Sequence, residues 1–250
     1  HCAGTIFGRN VDGTRIGVAP GAKKVLIGKV LGEQGGGSSD QIVGAIQWAV
    51  ENGADGISMS LGMDFPGLQK QMQEFGFPLE LATSRALEGH RVNVQLFEHL
   101  ASLIRALNVT TITLAAAGKE SQRDENPDFE IAVSPPAVSE GIISVGALGQ
   151  GSQGLVVAPF SNTGANVSVP GVGIVSAKTG GGLKTLNETS MATPHVAGVA
   201  ALWAEKIQSS SVLNAFQMAA RLIGSAVSDD LQSGLDLFDV DVGLVRAPQQ

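Results

Sequence analysis

Ser190 stands where a polar turn becomes a long apolar stretch, in NETSMATPHVAGVAALW, residues 187 to 203. The residues after it follow a helical pattern, which places the serine in the first turn of a predicted helix. A helix N-terminus leaves backbone N–H groups unpaired and carries partial positive charge, so a hydroxyl there lies beside donors that stabilise a negative oxygen. That setting suits acyl transfer, in which the hydroxyl attacks a carbonyl whose oxygen takes up charge. Spacing alone favours the plainer reading, that Ser190 or Thr189 caps the helix, because capping serines far outnumber nucleophiles.

Four histidines are available as bases. His195 lies five residues beyond Ser190, about 140° around a helix axis, so its ring points away and reads as structural. His90 and His99 are nine apart, about 180° on one continuous helix, and form neither a metal pair nor an obvious base. The single cysteine, Cys2, makes an intrachain disulfide impossible and says nothing about redox compartment. No residue spacing marks a metal site.

The elements that position these residues follow from pattern. With 250 residues, 43% hydrophobic and 16% charged, the chain reads as one globular domain, 1 to 250, with a sizeable core. Residues 24 to 31 form an apolar, β-branched run predicted as a strand, followed by a glycine-rich loop. A helix capped by Ser39 or Asp40 carries Ile42, Ala45, Ile46, Ala49 and Val50 on one face and ends at Gly53. DGISMSLG (55 to 62) and VTTITLAAAG (109 to 118) read as buried strands. Between them, 63 to 108 is a helical insertion, with Gly89 and Asn93 predicted to divide it into two helices.

Beyond residue 118 come a polar loop, a strand at 141 to 148, short strands between turns at 157 to 177, and an amphipathic helix over 211 to 223. Strand, helix, strand at this spacing implies parallel pairing, hence an α/β domain of three layers around a mainly parallel sheet. A formal net charge of −7 without basic runs argues against nucleic acid and leaves peptides or proteins as partners. No apolar stretch reaches the ~18 residues of a membrane span, and no signal peptide is visible. Because the chain starts at His1 rather than Met, it is expected to be processed or a piece of something longer.

TSMATPHVAGVAAL (189 to 202) resembles the nucleophile motif of the subtilisin-like serine peptidases. HCAGTIFG, GVAPGA, SMSLG, LAAAG, SVGA, FSNTG and VPGVGIVSA follow in that family's order, from residue 1 to residue 177. The resemblance implies the subtilisin-like fold with its N-terminal elements missing, and an endopeptidase in which Ser190 is the nucleophile. It implies that Ser60, Leu61 and Gly62 form one wall of a cleft and Gly35, Gly36 and Gly37 the other, both pairing with an extended peptide as added strands. Ala116, Ala117 and Gly118 would line the pocket for the residue before the cleaved bond.

The resemblance also has gaps. HCAGT matches the second half of a motif whose catalytic histidine is the first of two, and the strand bearing the aspartate normally precedes it. His1 is therefore one turn too far along to act as the base. By itself the chain holds one triad member of three, which implies a fragment of an active peptidase, a pseudopeptidase that binds peptides or proteins, or a non-catalytic structural domain. Lys119 replaces the asparagine that donates to the oxyanion, and stands as a cationic substitute for it. Glu188 replaces a glycine, and a carboxylate about 5 Å from that oxygen opposes it by roughly 3 kcal/mol at an effective dielectric of 20.

Opposite charges at neighbouring positions lead to two expectations. Either Lys119 and Glu188 pair across the oxyanion position, or Lys119 faces the oxyanion while Glu188 turns outward. The resemblance implies no organic cofactor. Calcium is common in the family, yet the loop at 9 to 16 offers only Asn10 and Asp12 as side-chain ligands, too few for a site. The compartment stays open, with secretion the location that the resemblance favours.

Overall fold

Short runs of small and β-branched residues pair side by side because helices cover both of their faces. In the computed structural model, which describes residues 1–32, 35–107 and 110–249, β1 (Gly56–Met59) lies parallel to β2 (Ile112–Ala116). Strand β2 lies parallel to β3 (Ile143–Gln150), with Leu114 opposite Ile143. Strand β3 also takes β4 (Leu155–Val157) antiparallel and β5 (Val167–Pro170) parallel, with Val145 opposite Val167. Positions 33 and 34, within the expected glycine-rich loop, and Val109, at the head of the expected second strand, lie outside the described residues.

The two faces of this sheet carry two cores. On one, Leu114, Val145, Val167 and Val169 pack against Ala192, Val196 and Val199 of α5 (Thr189–Gln208) and Met218 and Leu222 of α6 (Ala215–Gly224). On the other, Met59, Ala115 and Ala117 meet Ile46 of α2 (Ser39–Glu51) and Phe97, Leu100 and Ile104 of α4 (Leu79–Leu107). The result is the three-layer α/β arrangement around a mainly parallel sheet that the alternation of patterns implies.

Helix α1 (Cys2–Phe7) packs on α5 close to Gly198, where a side chain would overlap Val18. Gly4 approaches β6 (Ile174–Ala177), and a Cβ on it would lie 2.7 Å from Ser176 Oγ. Strand β6 forms a hairpin with β7 (Leu183–Leu186), and the Gly180, Gly181 and Gly182 turn between them has φ of 85°, 108° and 73°. Only glycine takes three such angles in succession without strain. A short α7 (Leu237–Val240) closes the chain's ordered elements.

Two expectations change. Helix α2 is capped by Ser38, not Ser39 or Asp40, through a capping box with Gln41. The insertion does contain two helices, α3 (Phe65–Glu74) and α4, but Gly89 and Asn93 do not divide them. Helix α4 runs unbroken through both for 29 residues, and Asn93 Nδ2 donates to Gly89 O at 2.9 Å. A helical glycine costs only about 1 kcal/mol, which packing offsets. The division falls instead before Pro78, near Gly76 with its φ of 86°.

The larger departure is at 24 to 31, which adopts no strand. Among the described residues no backbone hydrogen bond holds 23 to 31, and Ile27 is 66% exposed. A strand needs a neighbour, and this run has none. Among the described residues strand β1 pairs only with β2, so its outer edge is also open. Between that edge and residues 24 to 31 runs a groove of about 1000 Å³. Ile46 and Ala49 of α2 line it from one layer, and Ala200, Ala204 and Met218 from the other.

Candidate functional site

Ser190 is the second residue of α5, and its position follows from three local features of the sequence. The first is Pro194, which lacks an N–H and so cannot bond the Ser190 carbonyl four residues earlier. That carbonyl instead accepts from Ser60 Oγ at 2.9 Å, just past β1, and from Cys2 Sγ at 3.4 Å in α1. The second is buried Thr189, whose hydroxyl donates to Gly118 O at 3.1 Å and ties the helix mouth to the end of β2. The third is Gly118 itself, at φ 111°, where a Cβ would lie 2.5 Å from Glu120 Oε2 and overlap Asn162.

The serine is half-buried, and its Oγ donates to Ser60 O over 3.4 Å, a long contact. The backbone N–H groups of Thr189 and Ser190 have no partner among the described residues. They are the unpaired donors that a helix N-terminus leaves over, and they favour negative charge beside the serine. Glu188, the N-cap residue, does not use them, because its side chain makes no capping bond. Its Oε1 instead meets Lys119 Nζ at 2.5 Å, with the two side chains 36% and 54% exposed. The geometry is the paired arrangement, not the one with Glu188 turned outward.

Residues that the sequence reading passed over hold Lys119 in place. Glu120 Oε2 accepts from the Lys119 N–H at 2.9 Å and from Asn162 Nδ2 at 2.6 Å. Asn162 Oδ1 in turn accepts from the Glu120 and Ser121 N–H groups. Burial raises the Glu120 carboxyl above its ordinary value and the nearby Asp64 adds to this, against the hydrogen bonds from Asn162 and Lys119. The FSNTG motif contained Asn162, but nothing in its spacing pointed across the fold to Glu120.

No histidine among the described residues hydrogen-bonds to Ser190. His1 Nε2 lies 3.0 Å from Ile174 O and 3.1 Å from Lys184 O, fastening α1 to the β6 and β7 hairpin. His195 Nδ1 sits 2.9 Å from Met191 O on its own helix, and burial lowers its pKa, against hydrogen bonds to Met191 and Ala192 that raise it. His90 packs edge-on against Phe65, with its pKa also lowered by burial. His99 is exposed on α4.

Of the expected cleft walls, Ser60 touches Ser190 directly, Leu61 is half-buried and Gly62 is exposed. A Cβ on Gly62 would lie 2.8 Å from Ser134 Oγ, and the Ser134 N–H donates to Ala117 O at 3.0 Å. Ala116, Ala117 and Gly118 are buried, so this side of the site is built from backbone more than from side chains. Gly35, Gly36 and Gly37 lie in an exposed loop where Gly32 N donates to Gly36 O at 2.8 Å. They make no hydrogen bond to the Ser190 region among the described residues. Asn10 precedes and Asp12 lies within a small turn bridged between Val11 and Thr14, and no group of three His, Cys, Asp or Glu side chains gathers among the described residues.

Known proteins share this fold. The family model for peptidase S8, the subtilase family, matches residues 1–240. Subtilisin DY of Bacillus licheniformis is 32% identical over 246 residues, which cover 96% of this chain and 75% of the relative. An intracellular serine protease of Paenibacillus polymyxa is 33% identical over 206 residues, and there the match spans about half of the relative, 52%. Among solved structures, a cold adapted subtilisin-like serine proteinase superposes with a TM-score of 0.65 at 25% identity, covering 100% of this chain and 74% of its own. The patellamide maturation protease PatA gives 0.69 at 26% identity, covering 98% and 79%.

Proposed function

The chain belongs to the subtilase family, and on that premise we propose that residues 1 to 250 are the nucleophile-bearing body of a serine endopeptidase. Ser190 Oγ attacks the carbonyl carbon of a peptide bond, and its proton passes to an imidazole supplied by polypeptide outside residues 1 to 250. The carbonyl oxygen, now negative, is met by the free Ser190 N–H and by the positive end of α5. Collapse expels the amine, which takes that proton, and leaves an acyl group on Ser190 that water then hydrolyses. Lys119 is the cation available beside this oxygen. The peptide lies extended along Ser60, Leu61 and Gly62, with Gly35, Gly36 and Gly37 opposite.

The observation that carries this reading is the fastening of Ser190. Its carbonyl is anchored by Ser60 and Cys2 and its neighbour by Gly118, while the N–H groups beside its hydroxyl have no partner among the described residues. A plain capping serine uses its oxygen to satisfy those N–H groups. The groove beside β1 supports the second half of the proposal. An extended apolar segment seated there finds an open strand edge on one side, an unpaired β-branched run on the other, and apolar helices above and below. Such a segment would end beside Ser60 and bring the missing carboxylate and imidazole to the serine.

One observation favours a second reading, a pseudopeptidase that keeps the cleft to bind peptides: Ser190 Oγ faces only the Ser60 carbonyl. Labelling with a serine-directed fluorophosphonate separates the two, applied to residues 1 to 250 and to a form carrying additional residues before His1. Labelling of Ser190 in the longer form alone supports the peptidase. Absence of labelling in both forms, with peptides still bound, supports the second reading.

A further inference from the structure

We propose that Lys119 and Glu188 form an ionic gate on the Ser190 site, in which Glu188 withholds the Lys119 ammonium from negative charge developing beside the serine; this rests on Ser190 being the nucleophile. Glu188 occupies the N-cap position, where a carboxylate ordinarily accepts from the first N–H groups of the helix. Its side chain makes no such bond, and Oε1 takes Lys119 Nζ at 2.5 Å instead. The backbone around both residues is fixed. Gly118 O is held by Thr189 Oγ, the Lys119 N–H by Glu120, and the Glu188 N–H donates to Gly171 O at 3.0 Å.

Only the side chains are therefore left to move. Both are open to solvent, and an exposed ion pair is weakly held and screened by salt. While the gate is closed, an anionic oxygen at Ser190 meets a cation and an anion whose fields largely cancel. Once Lys119 leaves Glu188, the ammonium adds a charged donor to the free N–H groups of Thr189 and Ser190. Glu188 thus restrains the site, and Lys119 is the group it restrains.

Phenylboronic acid tests this without requiring peptide hydrolysis. Ser190 Oγ adds to boron, the hydroxyl proton leaves to buffer, and the boron becomes tetrahedral and anionic. Affinity is read by titration, and the tetrahedral adduct by boron NMR. At low salt, Glu188→Gln is expected to bind about tenfold more tightly than the unmodified protein, and Lys119→Met about tenfold more weakly. The double variant falls between them, and the gap between Glu188→Gln and the unmodified protein narrows as salt is raised. Equal or weaker binding by Glu188→Gln overturns the gate. Binding that survives Ser190→Ala unchanged overturns the nucleophile reading, and the gate with it.

Discussion

The two ends of the sheet differ in how completely they are built. At β3 strands pair on both sides, with β2 and β5, and Val145, Val167 and Leu222 are fully buried between layers. At β1 the sheet has an open edge, and the run that faces it across the groove has no backbone partner among the described residues. Ser190 belongs to the finished end through α5 and touches the unfinished end through Ser60. The fastening of Ser190 thus draws on both ends of the sheet, whereas the groove lies at the open one alone.

Breaking each end should give unequal results. Leu222→Ala leaves a cavity in the finished core and is expected to lower unfolding free energy by about 2–5 kcal/mol in denaturant melts. Ile27→Ala, at the open run, is expected to change it by less than about 0.5 kcal/mol. Equal losses would contradict the comparison. Thr189→Val, which leaves Gly118 O without its buried donor, is expected to cost about 1–3 kcal/mol and to reduce Ser190 labelling.

Hydrogen exchange sharpens the contrast without mutation. Amides of 112 to 116 are expected to exchange only on global unfolding, and those of 23 to 31 within the fastest measurable window. An extended apolar segment that fills the groove is expected to protect 23 to 31 and the outer edge of β1 while leaving 112 to 116 unchanged.

A smaller effect concerns pH. Burial depresses the folded pKa of His195 below its ordinary 6.5, so the unfolded chain binds the extra proton first. Its stabilising contribution is full above pH 6.5 and is lost as pH falls toward the folded value. Replacing His195 with Gln is expected to flatten that part of the stability profile measured by thermal melts. Smallest of all, removing the exposed pair by Lys119→Met with Glu188→Gln is expected to shift stability by no more than about 1 kcal/mol.

Much of the finished end was legible in the sequence, because its information is local. The apolar runs at 112 to 116 and 143 to 150 and the three-four spacing of α2 and α6 announce themselves by period. Ser190 at a helix mouth was legible for the same reason, as were the opposite charges of Lys119 and Glu188. The open end was misread because a β-branched run predicts a strand only where another strand lies alongside, and pairing is not a local property. Helix α4 crossed Gly89 and Asn93 because Asn93 satisfies the Gly89 carbonyl and the Phe97 face is buried, both facts of packing. The role of Pro194 in freeing the Ser190 carbonyl was present in the opening stretch, yet it acquires meaning only with Ser60 and Cys2 in place.

The claim on which the account depends is that Ser190 receives acyl groups. Incubation with p-nitrophenyl acetate, followed by mass spectrometry of the digested protein, measures this directly. The expected result, in the form carrying additional residues before His1, is one acetyl group per chain on the peptide containing Ser190, absent in Ser190→Ala. Acetylation that spares Ser190, or that persists unchanged in Ser190→Ala, would contradict it.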